Sequence, residues 1–161
     1  MSRAKRKIRV FVVEDHPAIA RGLQMFLEAV GFSVELTFDM QSALAALPKT
    51  KFDVLLCDLA LPDGTGWELM KELTKSGPVA AVAFSAFDDP EDVERSRNAG
   101  FAEHVAKGAP AEQLVEAIER TAGTGKRSEE RPRGTPSAKV RRVGAAESQR
   151  LPRRLTSKPA N

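Results

Sequence analysis

The sequence predicts an α/β fold built on a five-stranded parallel sheet. Two observations predict it. Short, continuous apolar runs recur along the first 120 residues, and helical periodicities fill the gaps between them. Continuous apolar runs suit strands covered on both faces, and strand–helix alternation implies parallel strands joined by right-handed crossovers.

The elements follow in order. Ile8–Val13 is the first apolar run. Ile19, Leu23, Phe26, Leu27 and Val30 then mark one face of a helix that Gly31 stops. Phe32–Phe38 alternates more, as an edge strand does. Ser42–Leu47 is a short Ala/Leu-rich helix ended by Pro48. Asp53–Cys57 is the third strand, and Trp67–Lys75 the third helix, with Leu69, Met70 and Leu73 to one side. Pro78–Phe84 is the fourth strand. Asp89–Asn98 is a polar helix in which Val93 is the one large apolar residue. Ala102–Lys107 is a weaker fifth strand. Pro110–Thr121 is the last helix, with proline at its start and Leu114, Val115 and Ile118 to pack.

Charge divides the chain. Val10–Arg120 carries nine bases and nineteen acids, whereas residues 121–161 carry eleven bases and three acids. The four large aliphatics of residues 122–161 (Val140, Val143, Leu151, Leu155) bury too little area to offset the entropy of ordering that segment. The expected division is therefore a body over residues 7–121 and a disordered basic tail over 122–161, with no output domain.

Several function classes are set aside. No apolar run approaches the roughly 18 residues that span a bilayer, so no membrane partner is expected. The basic N-terminus leads into the short run IRVFVV and then acids, unlike a signal peptide. Cys57 is the single cysteine, which excludes an internal disulfide and a Cys-rich metal site and suits a cytoplasmic chain.

The chemistry is expected at the strand ends, because ligands of such sheets bind beyond the carboxyl edge. Glu14 and Asp15 follow the first strand, Asp58 the third, Ser85 the fourth and Lys107 ends the fifth. Carboxylates about 4 Å apart repel by roughly 4 kcal/mol at an effective dielectric near 20. A hard dication relieves that, and Mg²⁺ prefers such oxygen ligands. A carboxylate beside the ion can attack phosphorus, while the ion and Lys107 stabilise the equatorial oxygens and Ser85 donates to one of them.

Four motifs carry a resemblance: VVEDHP (12–17), CDLALPDGTGWEL (57–69), FSA (84–86) and AKGAP (106–110). Over residues 7–121 the chain resembles the receiver domain of bacterial two-component response regulators. The resemblance implies a flavodoxin-like fold with strand order 2-1-3-4-5. It implies that Asp58 is the phosphoacceptor, and that Glu14, Asp15, Asp58 and the backbone carbonyl of Ala60 bind Mg²⁺. Ser85 and Lys107 would hold the phosphoryl group, and His104 falls at the family's switch position. The implied partners are a histidine kinase or phosphotransfer protein, a downstream protein target, and a second copy in a homodimer paired through the fourth and fifth helices. Lys107 departs from the pattern in its neighbour, Gly108, where many receivers have proline.

The competing reading is a pseudo-receiver, a protein-binding adaptor that takes no phosphoryl group. A turnover phosphohydrolase is not expected, because Ala60 stands where such enzymes place a second acid. The tail is too short and too poor in apolar residues for a helix-turn-helix, so no specific nucleic-acid partner is expected.

Overall fold

Strand β1 (Arg9–Val13) is an interior strand of the sheet, paired in parallel with β2 (Ser33–Thr37) on one side and β3 (Val54–Cys57) on the other. Beyond β3 come β4 (Ala81–Ser85) and β5 (Glu103–Ala106), also parallel. The order is therefore β2-β1-β3-β4-β5, as the resemblance implied. The computed structural model describes residues 5–130.

Alternation along each strand sorts the core into two layers. On β1, Val10 and Val12 face one way and Phe11 and Val13 the other. Val10 and Val12 join Leu23 and Leu27 of α1 (Pro17–Val30) and Leu114 and Ile118 of α5 (Ala111–Glu130). Phe11 and Val13 join Ala43 of α2 (Met40–Ala46) and Leu69 and Met70 of α3 (Gly66–Leu73). The period of two in strands and the stripe on each helix are what place side chains in both layers.

The caps are those the sequence offers. His16 is the N-cap of α1 with Pro17 in its first turn, and Gly31 closes that helix at φ 114°, a left-handed conformation that costs glycine little. Helix α4 (Pro90–Ala99) is polar as expected, and the one residue it fully buries is Ser96.

Three differences from expectation have physical causes. Strand β4 starts at Ala81 rather than Pro78 and includes Ser85. The Gly77-Pro78 turn takes up the preceding residues, with Gly77 at φ 128°. Between β3 and α3 stands a hairpin of two-residue strands, Ala60–Leu61 and Gly64–Thr65, too short to show a periodicity. Helix α5 runs to Glu130, past the expected end at Thr121, and Ala122, 3% exposed, packs that extension onto the α1 layer. The rest of the expected basic tail, residues 131–161, lies outside the described residues. Among the described residues, no helix is long and apolar enough to cross a membrane.

Candidate functional site

Parallel register brings the strand ends together. Val13 pairs with Cys57, and the Asp58 N–H donates to the Val13 carbonyl at 2.9 Å, so Glu14 and Asp58 leave the sheet side by side. Ser85 pairs with Ala106, and the Lys107 N–H donates to the Ser85 carbonyl at 2.9 Å. Both strand pairs therefore deliver their functional residues to the carboxyl end of the sheet.

Glu14 and Asp58 are buried, at 1% and 5% exposure, and Asp15 is exposed beside them. One carboxylate oxygen of each lies within 4.8 Å of the others. Lys107 Nζ sits 2.8 Å from Glu14 Oε2 and 2.9 Å from Asp58 Oδ2. Asp58 Oδ1 accepts the Ala60 N–H at 3.2 Å, and Glu14 Oε1 accepts the His16 N–H at 3.2 Å. Oxygen donors in this number, two of them buried, suit a hard dication better than any softer metal.

The electrostatics are strained on the acid side and satisfied on the base side. Burial raises the Glu14 carboxyl above its ordinary value; the hydrogen bond from Lys107 opposes the rise and the charge of Asp58 adds to it. Burial works against the Lys107 ammonium, but its contacts with Glu14 and Asp58 outweigh that, and its value is raised. Cys57, fully buried next to Asp58, has its thiol pushed up by burial and behaves as a small core residue.

Ser85 is 1% exposed, and its Oγ accepts the Phe87 N–H at 3.0 Å. The Phe87 carbonyl in turn meets His104 Nε2 at 2.7 Å. His104 stands on β5, half-buried, with Nδ1 3.0 Å from Ser96 Oγ. Trp67 Nε1 donates to the same Ser96 oxygen at 3.0 Å. A carbonyl only accepts, so His104 Nε2 donates to it, and Ser96 Oγ accepts the Trp67 N–H while it pairs with Nδ1. The loop after β4 is thus tied to Ser85 at its N–H and to His104 at its carbonyl. Arg95 stacks 3.9 Å over the Trp67 ring at the outer end of this chain of bonds.

Every residue expected at the site stands at the carboxyl edge except His104, which reaches it through Phe87 and Ser85. Three contributors were not singled out in the sequence: Ser96, Asp63 and Gly66. Ser96 lies one turn on from Val93 in an otherwise polar helix, and nothing in that spacing marks a serine as buried. Gly66 packs so closely that a Cβ would lie 2.5 Å from the Asp58 carbonyl oxygen.

A five-stranded sheet in the order 2-1-3-4-5, with acids and a lysine at its carboxyl edge, defines a doubly wound α/β domain with a cation-ready acidic pocket. Residues 10–119 match the response regulator receiver domain, and the chain belongs to that family. It is 31% identical over 123 residues to the transcriptional regulatory protein UhpA of Escherichia coli, a match covering 73% of this chain and 60% of that protein. It is 33% identical over 109 residues to the transcriptional regulatory protein TrcR of Mycobacterium tuberculosis, covering 67% of this chain and 42% of that one. The chain therefore spans between 42% and 60% of the length of these relatives. Among solved structures, it is similar to a CheY-like response regulator receiver domain protein from Methanospirillum hungatei, with a TM-score of 0.70 and 26% identity over 76% of this chain and 99% of that one. The crystal structure of FixJ-N gives a TM-score of 0.68 at 25% identity, over 73% of this chain and 95% of that one.

Proposed function

We propose that this receiver domain is a phosphorylation switch that takes a phosphoryl group on Asp58. The observation that carries the reading is the placement of Lys107 Nζ between Glu14 and Asp58, with Asp15 joined to both acids in one oxygen cluster. Glu14, Asp15, Asp58 and the Ala60 carbonyl would hold Mg²⁺. The ion would supply charge neutralisation for the acids and for the phosphoryl oxygens.

The donor is a phosphohistidine of a histidine kinase or phosphotransfer protein. An Asp58 carboxylate oxygen forms the new bond to phosphorus. The bond from phosphorus to the imidazole nitrogen breaks, and its electron pair stays on that nitrogen, which takes up a proton. Lys107 is aimed at Asp58 before the transfer and stabilises the charge that develops on the transferring oxygens. Ser85 Oγ turns its hydroxyl to one of those oxygens.

The switch follows from the bonds that Ser85 already makes. Redirecting its hydroxyl changes its hold on the Phe87 N–H, and the Phe87 carbonyl is held by His104. The loop between β4 and α4 thereby communicates the state of Asp58 to α4 and β5, where a downstream protein reads it. The protein acts as a self-modifying switch rather than a turnover enzyme. An adaptor that never takes phosphoryl has no use for two buried carboxylates held against a lysine, so the adaptor reading is less well supported.

Acetyl phosphate with Mg²⁺ tests this. The full chain is expected to gain the mass of one phosphoryl group and Asp58→Asn to gain none. An unmodified native chain, or equal modification of both, overturns the proposal.

A further inference from the structure

The hairpin after Asp58 is gripped from outside the sheet. Asp63 stands at its turn, and its carboxylate accepts two backbone N–H groups from the start of α2. Met40 donates to Oδ1 at 2.7 Å and Gln41 to Oδ2 at 2.9 Å. The Met40 bond is the largest cause that draws the Asp63 carboxyl below its ordinary value.

The contact is close along its length. A Cβ on Gly64 would meet Met40 Cε at 2.8 Å and Sδ at 2.9 Å, so Met40 lies directly against the hairpin. At the base, the Gly66 N–H donates to the Leu59 carbonyl at 3.0 Å, and the missing side chain admits the Asp58 carbonyl. The hairpin is pinned at its tip to α2 and at its base to the acceptor's own backbone. Between the pins, Ala60 pairs with Thr65 and aims its N–H at Asp58 Oδ1.

Helix α2 has a cap without Asp63. Asp39 accepts the Ser42 N–H at 2.7 Å through Oδ1 and the Ser42 hydroxyl at 3.0 Å through Oδ2. Two acids therefore serve one helix end, and only Asp63 belongs to the hairpin.

We propose that Asp63 is a positioning residue for the acceptor site: by holding the start of α2 it fixes the backbone on both sides of Ala60, where the N–H orients Asp58 and the carbonyl is offered to Mg²⁺. The inference rests on the phosphoacceptor reading above. Asp63 touches neither the ion nor the phosphoryl group and acts through Ala60.

The test compares the full native chain with Asp63→Ala, Asp63→Asn and Asp39→Ala. Mg²⁺ affinity, the rate of phosphorylation by acetyl phosphate and the thermal midpoint are measured for each. Asp63→Ala is expected to weaken Mg²⁺ binding by roughly tenfold or more, the usual effect of losing a residue that orients a metal ligand, and to slow phosphorylation. Asp63→Asn, which keeps one carbonyl acceptor, is expected to fall between it and the native chain. Asp39→Ala is expected to lower the midpoint and leave Mg²⁺ affinity unchanged. Should Asp63→Ala fail to fold, Asp63→Asn against Asp39→Ala decides by the same readouts. Native affinity in the Asp63 variants, or equal losses in the Asp63 and Asp39 variants, overturns the proposal while leaving Asp58 as acceptor. A native chain that binds no Mg²⁺ overturns the acceptor reading first and this inference with it.

Discussion

Lys107 Nζ lies 2.9 Å from Asp58 Oδ2, and the same ammonium lies 2.8 Å from Glu14 Oε2. One cation thus answers two buried carboxylates. Lys107→Ala leaves both acids without it, a change that costs up to about 3 kcal/mol at a site partly open to water. Urea unfolding at pH 7 in a chelating buffer is expected to show the loss, and added Mg²⁺ is expected to restore part of it. Equal stability of the two chains without metal contradicts the bridging role.

Glu14 should show the opposite sign. Its carboxyl is raised chiefly by burial, opposed by Lys107 and reinforced by Asp58. A raised folded value means that the stability is fully present below the unfolded value of 4.5 and is lost as pH rises through the folded value. Glu14→Gln is therefore expected to melt higher than the native chain at pH 7 without metal, with the advantage shrinking toward pH 4.5. Thermal melts across that range check it, and a variant that melts lower at pH 7 contradicts it.

Asp53 behaves as a structural acid at the other edge of the sheet. It accepts the Arg9 N–H at 2.8 Å and pairs with the Arg9 and Arg6 guanidinium groups. Burial would raise its value, but the bonds from Arg9 prevail and lower it. A depressed folded value means stability present above the ordinary 3.8 and lost as pH falls through the folded value. Asp53→Asn is expected to cost roughly 1–2 kcal/mol at pH 7. That gap closes in melts below pH 3.8, and a gap constant with pH contradicts the ion pair.

Ser96 joins two elements through one oxygen. Ser96→Ala leaves the Trp67 N–H and His104 Nδ1 without their partner, a loss of about 1–3 kcal/mol. Trp67 is the single tryptophan, so the chain's tryptophan fluorescence comes from this ring and senses its bond to Ser96 as well as the Arg95 stacked on it. Beryllofluoride with Mg²⁺ is expected to change Trp67 emission in the native chain and to change it much less in Ser96→Ala. The same response in both contradicts the link from Ser85 through Phe87 to α4.

Most of the site was legible because each functional residue closes a buried apolar run. Glu14, Asp58 and Lys107 stand where a strand stops needing apolar side chains, and parallel pairing leaves them at one edge. The grip of Asp63 was not legible, since its partners are backbone groups of a helix that comes earlier in the chain. Ser96 hides because its burial depends on Trp67 and His104 arriving from other elements, which helical periodicity does not report. The extent of α5 was missed for a related reason. Composition after Thr121 reads as tail, but Ala122 packs against the α1 layer and carries the helix on.

The most direct measurement is the location of the phosphoryl group. An acyl phosphate is reduced by borohydride to an alcohol, which turns an aspartate into homoserine. After treatment with acetyl phosphate and Mg²⁺, then borohydride and proteolysis, homoserine is expected at position 58 and at no other aspartate. Reduction at Asp15 or Asp63 instead of Asp58, or none at all in a chain shown to bind Mg²⁺, contradicts the account.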